Sequence, residues 1–405
     1  ETKFGKLCLK PFSKYYTTDI NYIKDTQKLL SRCNLINFEP KKINQFYDFY
    51  VMQKNETSFE EKYNYIEWKR GKFLNNYSSF LHILGIYSIM SPILTIIAPL
   101  FILIVPFFLL RMLKIPISIT NYTNLLIAQI RKHTIGKIIF EFNSVNTSQK
   151  FYFIFCFGMY FYNIYQNILS CFRFKQNNKH ITTYFNTTKN YLDYTLDNIN
   201  NFEKISHSLT TYISFKNDLS KYKNKIIFLR DNLESIPQKP LCFRNFSELG
   251  KTMKYFYQFY DCEDCEDIIN YSLGFNGYID VLKGLETNIL RNKICKGNLS
   301  KDKNIKCSMK KFYHPLVKKN IVTNDINIKK SKIITGPNAA GKTTLLKAST
   351  INILLTQQIG YGFYKKATIT PFDYIHCYLN IPDTSGRDSL FQAEARRCKN
   401  ILDTI

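Results

Sequence analysis

Acidic residues are scarce in this chain of 405 residues. Asp and Glu number 31 against 56 Lys and Arg, a formal charge of +25. The imbalance excludes a polyacidic surface and favours anionic partners: nucleic acid, phosphates or an acidic membrane face. It carries little weight alone, because Lys, Asn, Ile, Tyr and Phe are abundant together, as translation of an AT-rich genome produces. A cysteine framework is also lacking. The 11 Cys are scattered, with one close pair, Cys262 and Cys265, in "DCEDCED". Cys295 and Cys307 follow at a loose spacing, and nothing resembles a zinc ribbon, so free thiols in a reducing compartment are expected. The opening "ETKFGKLCLKPF" is charged, without the apolar core of a cleavable signal. It has no initiator Met, which leads us to expect a fragment. No repeat of solenoid period is present.

What is abundant is apolar sequence in two blocks. Residues 1–80 form a polar, aromatic N-terminal region with helical patches in "QKLLSRCNLI" and "EKYNYIEWKRGKFLNNY". An uncharged run from Ile83 to Leu110 then carries Pro92, Pro99 and Pro106 at seven-residue steps. It exceeds the about 20 apolar residues that cross a bilayer. Lys69, Arg70 and Lys72 precede it, and Arg111 and Lys114 follow. A second uncharged run, 151–172, is aromatic and contains Asn163, Gln166 and Asn167. Residues 81–175 are therefore expected to form an apolar helical hairpin. It either inserts in a membrane or is buried in a large core. If both runs span, the chain ends share the cytosolic face, where ATP is found. Residues 176–300 read as helical: Leu192, Leu196, Ile199, Phe202, Ile205 and Leu209 recur at three- and four-residue steps as one apolar stripe. A second helix is expected through "DLSKYKNKIIFLRDNLESI", ended by "IPQKP".

Around Lys332 the texture turns to α/β. "SKIIT" reads as a short β-branched strand. Gly336-Pro337-Asn338-Ala339-Ala340-Gly341-Lys342-Thr343 follows, then a helix through "TLLKASTINILL". Strand, G-x-x-x-x-G-K-[ST] and helix, in this order, is what a phosphate-binding loop requires. Gly336 permits the turn out of the strand. Gly341 lets backbone N–H groups face a β-phosphate with no side chain between. The helix N-terminus adds the positive end of its dipole. Lys342 is expected to reach the β- and γ-phosphates and Thr343 to ligate Mg²⁺, with Thr344 beside it. ATP and Mg²⁺ are the implied ligands.

The neighbours of this loop carry a family likeness. "TGPNAAGKTT" resembles the "TGPNMGGKST" loop of MutS, the DNA mismatch-recognition ATPase family. "FYHPLV" resembles that family's "RHP" segment and "VTNDINI" its "NDI" strand. "LLTQQIGYGFYKKATITPFDYIHCYLNIPD" and "SGRDSLFQAEARRCKNIL" resemble the segments that follow. The resemblance covers about residues 310–405 in order, and "GYIDVLKGL" is similar to the family's "LDVL" helix. It implies that Ile321, Val322 and Asn324 line an adenine pocket and that Asn338 sits beside the phosphates. It also implies that Ser389 reaches the partner's γ-phosphate in a homodimer. As the residue opening an apparent helix, Ser389 reads equally as an ordinary N-cap. Departures are clear. Ala339-Ala340 replaces Met-Gly, residues 1–80 match no mismatch-reading domain, and "SFEE" at 58–61 is not placed like that family's Phe-x-Glu wedge. The apolar runs are foreign to repair members. They resemble divergent membrane-segment-bearing MutS-like ATPases, including those of large DNA viruses.

Hydrolysis needs an Asp to order Mg²⁺ and a Glu to orient water. The family places both after the Ser389 segment, where this chain offers only the lone Asp403. The expected fold is a mainly helical N-terminal and middle region followed by an incomplete α/β P-loop NTPase domain at 301–405, with the acid pair beyond Ile405. The expected function is an ATP-dependent, DNA-binding ATPase of mismatch-repair type. The alternatives are a membrane-anchored MutS-like ATPase without mismatch recognition and a nucleotide-switched membrane scaffold.

Overall fold

A computed structural model describes residues 1–11, 14–114, 118–132, 136, 140, 147–236, 247–302, 306–337, 340–376 and 390–403. In chain order the first helices are α1 (Lys3–Cys8), α2 (Ile20–Ser31), α3 (Pro40–Lys54), α4 (Phe59–Lys62), α5 (Ser78–Met112) and α6 (Ile119–Lys132). The next are α7 (Thr147–Ser206), α8 (Ile213–Glu234), α9 (Leu249–Asp261) and α10 (Glu263–Leu290). Strands β1 (Cys295–Leu299), β2 (Cys307–Phe312) and β3 (Asn324–Ile328) precede α11 (Lys342–Ile359). Strands β4 (Tyr361–Gly362) and β5 (Lys366–Ile369) and helix α12 (Leu390–Leu402) follow. The chain is mainly helical, as expected, with one mixed sheet. It divides into two compact units, one of residues 1–45, 191–228 and 266–405, the other of 46–190 and 229–265.

In the first unit the predicted stripe is buried from Leu192 to Leu209. Opposite it, α10 presents an amide. Asn276 Nδ2 lies 2.8 Å from Thr195 Oγ1 and 3.2 Å from the Tyr191 hydroxyl, and Asn198 Nδ2 donates to Asn276 Oδ1 at 3.1 Å. A buried amide of this kind is tolerated because each of its groups finds a partner.

The sheet of the same unit has the order β3-β2-β5-β1-β4. β1 runs parallel to β5, and the other pairs are antiparallel. Cys307 and Met309 point inward by the two-residue period of a strand. Lys310 and Lys311 then both face solvent, and Phe312 returns to the core. The register shift between Met309 and Phe312 explains this. Lys311 adopts φ 50° and its N–H donates to Asp325 Oδ1 at 2.7 Å, so an extra residue is inserted and the inward face is kept. Helix α11 covers this face, with Ala348 and Ile353 against Cys307, Met309, Phe312, Ala367 and Ile369.

Three buried polar side chains fix α11 in place. Asn352 Oδ1 accepts from Phe363 N and its Nδ2 donates to Tyr313 O at 3.1 Å. Thr356 Oγ1 and the Tyr364 hydroxyl lie 3.0 Å apart, and burial pushes that hydroxyl's pKa upward. Gln357 donates to Phe372 O at 2.9 Å and accepts from Phe372 N at 3.0 Å.

The second unit centres on aromatic rings. Phe59 stacks on Tyr260 with centroids 3.7 Å apart and packs against Phe256 at 5.4 Å. Helix α5 approaches α9 closely: a Cβ at Gly250 would run into the Ser78 carbonyl. The apolar run expected at 83–110 lies within α5, and the run at 151–172 lies within α7, a helix of 60 residues. The expectation treated 151–172 and the stripe beginning at Leu192 as separate pieces, whereas they share one helix. The segment between them contains no Pro or Gly, so nothing stops it. "IPQKP" falls mostly outside the described residues. All cysteines described are free, and no group of three or more His, Cys, Asp or Glu gathers among the described residues.

Replacing Asn352 by Ala leaves the Phe363 N–H and the Tyr313 carbonyl without their side-chain partner. Unfolding in urea should show a loss of about 2–4 kcal/mol, one to two buried groups' worth of desolvation. A loss under about 0.5 kcal/mol would mean that water or backbone adjustment replaces these bonds.

Candidate nucleotide site

The site begins where α11 begins. Gly341 precedes the helix at φ 88°, ψ 14°, a left-handed conformation that a Cβ disfavours. Among the described residues nothing lies within 4 Å of where that Cβ would sit, so the requirement here is for backbone conformation and an unobstructed mouth. Leu345 N donates to Gly341 O at 2.9 Å, closing the first turn, and Ala340 N reaches Pro337 O at 3.4 Å. Lys342 folds back on its own loop, its Nζ donating to Gly336 O at 2.6 Å.

A cavity of about 380 Å³ opens beside this turn. One side is made of Ala340, Gly341, Lys342, Thr344, Leu345 and Ala348. The other is made of His314, Val317, Asn320, Ile321, Val322 and Asn324. Ile334 and Thr335 complete the lining. The volume falls in the range of small-ligand sites. Apolar side chains offer faces for a flat ring, while the lysine and the helix start offer positive potential at one end. Among the described residues no carboxylate lines it.

Residues far apart in sequence are therefore brought together: Ile321, Val322 and Asn324 share one cavity with Ala340, Gly341, Lys342 and Thr344. Gly336 and Pro337 are exposed in the loop, and Thr343 is exposed in the first helical turn; none of the three lines the cavity. Asn338, Ala339 and Ser389 lie outside the described residues. Sequence reasoning gave no role to His314, Val317, Leu345 or Ala348. The last two repeat the Gly341 face at helical spacing, and His314 sits in the quoted "FYHPLV".

One expectation fails. Residues 331–335 form no strand. Ile333 is 92% exposed, and no neighbouring strand among the described residues pairs with it. A β-branched sequence prefers extended backbone, but a strand exists only with a ladder partner. The "NDINI" strand is present as β3, paired with β2.

No family model matches the chain. Several curated proteins do match in part. One is the DNA mismatch repair protein MutS of Persephonella marina, 34% identical over 24% of this chain and 12% of that protein. Another is MutS of Borrelia hermsii, 28% identical over 46% of this chain and 22% of its own length. The DNA mismatch repair protein MSH6 of Saccharomyces cerevisiae is 34% identical over 21% of this chain and 7% of its own. Part of the chain is thus similar to MutS and MSH proteins, and it spans a minor fraction of each.

Gly341→Ala should cost about 1–2 kcal/mol of stability from the left-handed backbone alone, since no steric clash accompanies it. Urea denaturation with unchanged far-ultraviolet circular dichroism checks this. A neutral result would show that the loop relaxes out of the left-handed region.

Proposed function

We propose that residues 310–405 are the opening portion of a MutS-like ATPase domain and that the cavity beside α11 takes ATP with Mg²⁺. The single observation carrying this is that the glycine–lysine turn and the Ile321–Asn324 segment, about 20 residues earlier, line the same cavity. Part-length similarity to mismatch repair proteins supports it independently.

The residues fit such a ligand. The open mouth at Gly341 admits a phosphate to the first amides of α11. Lys342, released from Gly336 O, would take a phosphate oxygen in place of that carbonyl. Ile321 and Val322 would cover the base by apolar contact, and Asn324 would supply polar contact at its edge. The Thr343 hydroxyl would hold Mg²⁺, which when bound neutralises phosphate charge. Among the described residues no acidic side chain lines this cavity, so the lining described supports a binding role. Turnover, a homodimer completed by Ser389 and DNA engagement belong to the same reading, as does a division of the chain near residues 80, 175 and 300. DNA engagement is favoured by the formal charge of +25 and by what the relatives are named for.

Lys342→Ala should weaken a fluorescent ATP analogue about 10–100-fold in equilibrium titration, the loss of one charge-assisted contact. Thr343→Ala should reduce the Mg²⁺ enhancement of binding and leave metal-free binding unchanged. Unaltered affinity in Lys342→Ala would remove the assignment.

A further inference from the structure

The two apolar runs meet in the second unit, and their contact is organised opposite to a water-soluble core. Helix α5 has two halves. Its first half packs on α9, where Gly85 lies against Leu249. From Ile93 to Met112 the large side chains that can be described are largely exposed. The same holds for α7 from Phe151 to Phe172. Among the described residues, the span of α5 long and apolar enough to cross a bilayer is Ser78–Pro99, mean hydropathy 1.9 and 22% buried, and it reaches into this exposed stretch over 93–99.

The polar groups of these runs face one another. Pro99 has no N–H and so frees the Thr95 carbonyl one turn earlier. The Tyr160 hydroxyl of α7 donates to that carbonyl at 3.3 Å. Asn167 Nδ2 donates to Thr95 Oγ1 at 2.8 Å and lies 3.2 Å from Asn163 Oδ1. Pro92 likewise frees the Ser88 carbonyl, and Ser91 Oγ donates to it at 3.2 Å. Cys171 Sγ reaches Ile89 O at 3.6 Å, so the helices run antiparallel. The Ser88 and Thr95 carbonyls, released by Pro92 and Pro99, thus find donors inside the pair, and hydrocarbon is turned outward.

We propose that α5 beyond Ile93 and α7 before Phe172 insert as a helical hairpin into a lipid bilayer, locked by the Thr95–Tyr160–Asn167 seam. In water the released carbonyls would need no such internal donors, and outward Phe and Ile would carry a solvation cost. In a bilayer both features are required. The lengths agree. Each outward-facing stretch is about 20 residues, about 30 Å at 1.5 Å per residue, the thickness of the hydrocarbon layer. Arg111 and Lys114 at the far end of α5 suit anionic headgroups. None of these residues lines the nucleotide cavity, so the proposal stands apart from that reading.

The test uses the full chain with vesicles of phosphatidylcholine and phosphatidylglycerol. We expect the protein to float with the vesicles, to resist high salt and alkaline carbonate, and to leave only with detergent. The double variant Ile104→Lys, Phe155→Lys should lose carbonate-resistant flotation at least tenfold while keeping its helical circular dichroism. A variant that does not fold is replaced by Tyr160→Phe, whose flotation should persist with lowered thermal stability in the vesicle. Release by salt alone overturns insertion. So does a detergent-free soluble monomer, a discrete soluble oligomer closed over the hairpin, or equal flotation of the double-lysine variant.

Discussion

The rotation of α11 about its own axis is the constraint on which the candidate site depends. An apolar contact between a helix and a sheet can slide by a fraction of a turn at small cost, because it is non-directional. Asn352, Thr356 and Gln357 remove that freedom. Each is buried and meets a specific backbone or hydroxyl group, and a misaligned helix would leave several of them unsatisfied at once. Because Gly341 and Lys342 sit at the start of the same rigid element, the direction of the helix start toward Ile321 and Val322 is set three turns away from it.

The inner face of the sheet shows a comparable reliance on local irregularity. The Lys311 bulge lets β2 keep Cys307, Met309 and Phe312 inward although the spacing between the last two is odd. Without it Phe312 would face solvent and leave the face under α11. Burial also accounts for the thiols in this region. Cys307 and Cys33 are pushed to about 12 by desolvation, so both stay protonated and act as small apolar side chains.

Much of this was legible in the residues. The order of glycine, lysine and threonine announced the helix start, because a left-handed residue, a cation and a helix former must follow one another there. The stripe from Leu192 to Leu209 announced its own burial through its period, and "NDINI" announced β3. Other features were not legible for physical reasons. "SKIIT" states only its own preference for extended backbone, and the partner that would make it a strand is not encoded in that segment. The change from aromatic to polar composition near residue 175 looked like a boundary, yet backbone hydrogen bonds are indifferent to that change, and α7 continues through it. Nothing in the sequence around Asn276 and Asn352 marks them as buried; only the geometry reveals that their partners are buried with them.

The bond from Lys342 to the Gly336 carbonyl has a consequence for selectivity. The ammonium group is already solvated by its own peptide, so an incoming anion trades one oxygen for another. A monoanion would offer this ammonium, which has three donors, one charge-assisted contact. A polyphosphate tail concentrates several negative charges at that point and wins by Coulomb attraction alone. On the proposed reading, a polyphosphate would draw Lys342 from the Gly336 carbonyl more readily than a singly charged metabolite would.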